Sequence, residues 1–225
     1  MNGWWDSFLR WVGFAVCHQL PERTIHFGGR PLFLCARDTG LYAGFFLCLA
    51  VAVMPYRKSR GGSPSLPWKA AAALSLLYLA VDGGTVALGW RESNHVLRLT
   101  SGLAAGASLA LLLGPAVNRL AWGAPPEQRL MRGKLPGLCL GLALAAAAAL
   151  FLAHPSPLLA AAQAFLLACL TGTLLYLNAA LLASAGAGLG RRMDSGARLA
   201  ALAISFPLVV GELILLHHLH ALLAR

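Results

Sequence analysis

A chain of 225 residues that is 58% hydrophobic and only 12% charged is far greasier than a water-soluble domain, where roughly a quarter of residues are charged. Its formal charge of +10 falls between long apolar runs, the distribution that orients loops at a bilayer, so nucleic acid is not an expected partner. The expected fold class is all-α: a polytopic membrane helix bundle of about six transmembrane helices plus an N-terminal amphipathic helix.

The chain opens on WWDSFLRWVGFAV, residues 4–16. At helical spacing Trp4, Phe8, Trp11 and Ala15 share a face, with Asp6 and Arg10 elsewhere. The stretch is short for a span, which predicts an interfacial helix with a tryptophan anchor; a tilted first span is the alternative. A basic start followed by a clean apolar core and a small-residue cleavage site is missing, so no cleavable signal peptide is expected. Residues 1–39 read as one unit, an amphipathic helix and a Cys/His/Arg loop, and residues 40–225 as the transmembrane bundle.

The loop is CHQLPERTIHFGGRPLFLCARDTG, residues 17–40. Cys17, Cys35 and Asp38 form a candidate metal set, the last two at C-x-x-D spacing, because zinc accepts both thiolate and carboxylate oxygen. His18 or His26 would complete it, although adjacent Cys17 and His18 are not expected to bind one ion together. The rival reading is a Cys17–Cys35 disulfide, permitted if the loop is extracytoplasmic. Pro21, Gly28, Gly29 and Pro31 supply the turns that would bring the two cysteines together. Arg23, Arg30 and Arg37 argue against a bare cation trap and point to an anionic ligand in the same pocket.

The predicted spans follow at about 40–56, 68–90, 98–120, 135–154, 157–185 and 197–222, by run length and hydropathy. The fifth is long enough to require tilt or a break near Gly172. Gly102, Gly106 and Ser108 are expected to admit a close helix neighbour, and Cys48, Cys139 and Cys169 to act as small buried hydrophobes. Asp82, Gln163 and Glu212 lie inside spans at comparable depth from one face, with Asn178 an isolated polar residue in the other half. An acid in hydrocarbon must face the bundle interior, a cavity or a partner, so Asp82 is expected near Arg37 or Arg98, either as a structural pair or at a working site. In the connecting stretch DGGTVALGWRESNHVLRLTSG, residues 82–102, Arg91, Asn94 and Arg98 are spaced to line one helical face, and a plain capped turn at Ser93 and Asn94 is the blander reading. His217, His218 and His220 close the last span, either as an interfacial polar tip or as further ligands.

Counting spans puts the loop, the 91–97 turn, His154 and the C-terminal histidines on one face of the membrane. That side carries Arg10, Arg23, Arg30, Arg37, Arg91, Arg98 and Arg225. The other carries the longer set Arg57, Lys58, Arg60, Lys69, Arg119, Arg129, Arg132, Lys134, Arg191, Arg192 and Arg198, and is expected to be cytoplasmic.

The motifs CHQLPER at 17–23, CARDTGLYAG at 35–44 and DGGTVALGWRESNHVLRLTSG at 82–102 resemble the signature of a family of small prokaryotic membrane proteins classed as a domain of unknown function. The resemblance covers roughly the first half of the chain and implies no activity. This chain departs from the family pattern at Asp38, usually cysteine, and at Val86, commonly glutamine. The first departure weakens a C-x-x-C redox couple and leaves zinc ligation open.

The leading expectation is a multi-pass plasma-membrane protein with a polar, metal-binding site on its extracytoplasmic face. Cys17, Cys35 and Asp38 would hold zinc, with His18 a candidate fourth ligand, while Asp82, Glu92, Arg37, Arg91 and Asn94 line the pocket as candidate catalytic residues. A metal-dependent hydrolase acting on a lipid would use such a site, with metal-activated water and arginines on an anionic headgroup. The alternatives are a transporter or metal-handling protein using Asp82 and Glu212, or a non-enzymatic membrane interaction protein with the disulfide-stapled loop.

Overall fold

The computed structural model describes residues 3–92, 94–188 and 194–223; Ser93, Arg191, Arg192 and Arg225, invoked above, lie outside them. The described chain runs α1 (Gly3–Val16), β1 (Thr24–Phe27), β2 (Arg30–Cys35), α2 (Ala36–Cys48), α3 (Leu66–Ala87), α4 (His95–Trp122), α5 (Leu135–Ala153), α6 (Leu159–Gly188) and α7 (Ser195–Leu223). Extended through a π turn at Leu49–Val53 and a 3-10 turn at Met54–Tyr56, α2 joins the five later helices as six segments long and apolar enough to cross a membrane. The first span therefore starts at Ala36 rather than at 40, which takes Arg37 and Asp38 out of the expected loop and into the first turn of a helix.

The loop itself is a β-hairpin. Two short runs, TIHF and RPLFLC, flank Gly28 and Gly29, whose φ angles of 57° and 80° make the left-handed two-residue turn that matches strand twist. Thr24 pairs with Cys35, His26 with Pro31 and Phe27 with Arg30. Ile25 and Phe27 are buried on either side of exposed His26, and Leu32, Phe33, Leu34 and Cys35 are buried on both faces of β2, joining Leu9 and Val12 of α1 in one core.

The face of α1 buried in the protein is not the Trp4 and Phe8 face expected to anchor at the bilayer interface, which stays exposed. Leu9, Val12 and Ala15 are inside, whereas Trp4 and Phe8 are exposed at 67% and 42%. The helix is apolar on two sides: the hairpin packs on the Leu9 and Gly13 side, and α7 packs against Trp11 and Phe14. Trp11 stacks on His217 with ring centroids 5.1 Å apart, and His220 Nδ1 lies 2.7 Å from the Phe14 carbonyl, so the end of α7 clasps α1.

At the centre of the bundle α2 crosses α4 almost backbone to backbone. A Cβ at Gly40 would strike the Leu99 carbonyl, one at Gly44 the Leu103 carbonyl, one at Gly102 the Arg37 carbonyl and one at Gly106 the Leu41 carbonyl. Two G-x-x-x-G spacings thus face each other, the small-residue device that lets membrane helices approach closely. Gly172 makes room for the Phe46 ring, and α6 runs through it unbroken.

At the far end Asn118 donates to the Arg60 carbonyl, and Arg60 donates to the carbonyls of Leu130 and Arg132. These contacts tie the 57–62 connection to the 124–132 connection.

Candidate metal centre

Cys35 is the last residue of β2 and the N-cap of α2, which places Asp38 one helical turn beyond it. Cys17 follows the end of α1, its N–H bonded to the Gly13 carbonyl at 2.8 Å. Gln19 fixes that approach. At φ 50° its side-chain amide donates to the carbonyls of Arg10 (3.0 Å) and Phe33 (2.9 Å), stitching α1 to β2. The ligand atoms of Cys17, Cys35 and Asp38 all lie within 4.8 Å of one another. The Cys35 N–H points at Cys17 Sγ (3.4 Å), and Cys35 Sγ lies 3.1 Å from Asp38 Oδ2. Both thiols are free.

These groups compete for protons. The Cys17 thiol, hydrogen-bonding to the Cys35 sulfur, holds Cys35 below its ordinary value, while burial and the Asp38 carboxylate oppose that. The same hydrogen bond, followed by burial, pushes Cys17 up. Three acidic groups packed this closely cannot all ionise alone; a divalent cation would let them.

The cluster floors a cleft of about 260 Å³ into which Arg23, Arg37 and Arg98 also face. Arg98 is 3% exposed, a cation held well inside the protein. Asp82, 2% exposed, anchors the arginine layer. Its carboxylate pairs with Arg37 and with Arg91, and accepts a hydrogen bond from the Ser101 hydroxyl at 3.2 Å. Gly83 leaves the space that the Arg37 guanidinium occupies, a Cβ there falling 3.3 Å from Arg37 Nη1.

Of the two arginines foreseen near Asp82, Arg37 pairs with it directly and Arg98 lies within electrostatic reach, while Arg91, not foreseen there, is a second direct partner. The reason is local. Gly89, at φ 70°, stops α3, with Gly89 N–H bonded to the Val86 carbonyl and Trp90 N–H to the Thr85 carbonyl. That stop folds Arg91 back along α3, where Nε donates to the Thr85 hydroxyl at 2.9 Å. Arg91, Asn94 and Arg98 therefore share no helical face. The Asn94 side chain caps α4, accepting from the N–H groups of Val96 and Leu97.

The other expected participants are scattered. His18 lines the cleft but sits outside the three-ligand group, its ring 4.8 Å from that of His220. His26 and the buried Gln163 line a separate cleft of about 440 Å³. Glu92 is exposed. Glu212 accepts from the Asn178 amide at 3.0 Å, joining α7 to α6. Cys48 and Cys169 are fully buried and Cys139 partly so. Gln19 and Ser101 were not anticipated; each lies inside a quoted motif, but neither Gln19's bridge between backbone carbonyls nor Ser101's bond to the Asp82 carboxylate leaves a spacing signature.

Fold and site together define a multi-pass helical membrane protein, of the plasma membrane, with its polar centre built on the first half of the chain. A family model described as "Predicted membrane protein (DUF2085)" matches residues 17–112, from Cys17 to the middle of α4. An uncharacterized protein of Methanothermobacter thermautotrophicus is 40% identical over 103 residues, covering 43% of this chain and 83% of the relative. One of Methanocaldococcus jannaschii is 32% identical over 100 residues, covering 44% of this chain and 62% of that relative. No solved structure matches. The chain belongs to the DUF2085 family of predicted membrane proteins.

Proposed function

We propose that this protein binds a zinc-class divalent cation through Cys17, Cys35 and Asp38 and presents it to an anionic ligand in the arginine-lined cleft. The observation that carries the reading is the convergence of two thiols and a carboxylate within 4.8 Å on the floor of that cleft. Three protein ligands would leave a fourth position for water or a ligand, the arrangement of catalytic rather than structural zinc. Arg23, Arg37 and Arg98 supply the positive rim that a phosphate or carboxylate group needs. When bound, such an ion acidifies water, which makes hydrolysis of an anionic lipid the reaction class this site would serve. In this reading Asp82 holds Arg37 and Arg91 in place and takes no part in ligation. The count of basic loop residues puts the site on the extracytoplasmic side.

Metal analysis of the purified protein against Cys35→Ala tests the reading. The wild type is expected to carry about one equivalent, on the single-site reading, and the variant little. Thiols should be titratable only after chelation and protected again by added zinc. Protection that yields only to a reductant would mean a disulfide and would remove the reading's support.

A further inference from the structure

We infer that a second, independent site lies at the opposite end of the bundle: a crevice between α2, α4, α6 and α7 that takes one chain of an anionic phospholipid, with its phosphate against Trp122, Arg57 and Arg198. The crevice encloses about 460 Å³, within the size range of small-molecule pockets. Its walls include Phe46, Leu49, Met54 and Leu175, so hydrocarbon is the natural filling. The π turn at Leu49–Val53 forms part of one wall, and such bulges recur where helices build sites.

Two cations set the chemistry of the occupant's head. At the mouth the guanidinium carbons of Arg57 and Arg198 lie 4.9 and 4.8 Å from the Trp122 ring centroid. Arg57 also donates to the Met54 carbonyl and Arg198 to that of Ala121, which holds both cations at this one indole. Like charges gathered in that way repel, and an anion beside them offsets the repulsion. Apolar walls with two cations held at the mouth together describe an anionic phospholipid. The lipid would come from the leaflet facing the basic 57–62 connection, where such headgroups collect.

Native mass spectrometry of the full chain, delipidated in detergent, tests the site with phosphatidylglycerol and phosphatidylcholine as probes. One phosphatidylglycerol should bind at least roughly tenfold more tightly than phosphatidylcholine, because both carry the phosphate but the choline cation of the second is repelled by the two arginines. Arg57→Gln with Arg198→Gln should abolish the preference, and Ala179→Leu, which fills the crevice, should abolish tight binding of both. Equal binding of the two lipids would overturn the proposal, as would a preference that survives the double arginine change. Indifference to Ala179→Leu would reduce the signal to annular lipid, and a dimer that closes the crevice would make a second copy its occupant.

Discussion

Asp82 shows how a single buried carboxylate organises its surroundings. Removing one partner from a buried ion pair costs about 3–5 kcal/mol, less where the partners are partly solvated. The Arg37 and Arg91 side chains are 25% and 29% exposed, so Asp82→Asn should cost about 2–3 kcal/mol in thermal melts of the detergent-solubilised protein. Arg37→Met should cost less, because Arg91 remains on the carboxylate; the reverse order would show that Asp82 does not anchor both. The thiols give a pH test. With Cys35 lowered and Cys17 raised, the Cys35 thiolate persists below the ordinary thiol value of about 8.5 and reacts first as pH rises. Mass-spectrometric alkylation of the metal-stripped protein between about pH 6 and 9, a range straddling that value, should therefore label Cys35 ahead of Cys17, and labelling of Cys17 first would reverse the assignment. At this scale the Cys17, Cys35 and Asp38 grouping was legible, because C-x-x-D at a helix start places both side chains together. Arg91 was not, because its position depends on the left-handed stop at Gly89 and not on helical periodicity.

Among the elements, the crossing of α2 over α4 carries the most weight, since it sets Arg37 and Asp38 against Arg98 and Ser101. A methyl group at Gly102 or Gly106 must push the opposing backbone away, an overpacking cost of about 1–3 kcal/mol. Gly84→Ala, with nothing near its Cβ, should be neutral or stabilising by up to about 1 kcal/mol. Melting temperatures that fall for Gly102→Ala and hold for Gly84→Ala would match this packing, whereas equal effects would contradict it. Run length was enough to find six spans, and small residues were enough to suggest close approach on α4. The matching glycines on α2 sit inside the CARDTGLYAG motif, where their helical spacing is as visible as any ligand. The hairpin had its own signal, two short β-rich runs around Gly-Gly, within a segment equally dense in Cys, His and Arg. The buried face of α1 could not be chosen from sequence, because apolar residues lie on both sides and only the hairpin and α7 decide between them.

For the whole molecule, contacts place the hairpin, the Arg91 turn, His154 and the end of α7 at one end of the bundle, as span counting required. Phe27 of the hairpin and His154 after α5, for example, have ring centroids 6.3 Å apart. Impermeant maleimide on intact cells should label Glu22→Cys above the unmodified chain and spare Ser63→Cys, and the opposite pattern would invert the orientation. The Cys17, Cys35 and Asp38 cluster and its arginines all fall within the matched residues 17–112, and 83% of the Methanothermobacter relative aligns within 43% of this chain. The later helices thus surround a centre that the first half of the chain already builds. X-ray absorption at the zinc edge of the purified, zinc-loaded protein tests the claim about that centre most directly. Two sulfur neighbours are expected at about 2.3 Å, lost one at a time in Cys17→Ala and Cys35→Ala, with oxygen or nitrogen neighbours at about 2.0–2.2 Å. A zinc shell without sulfur, or one unchanged by both substitutions, would contradict that claim.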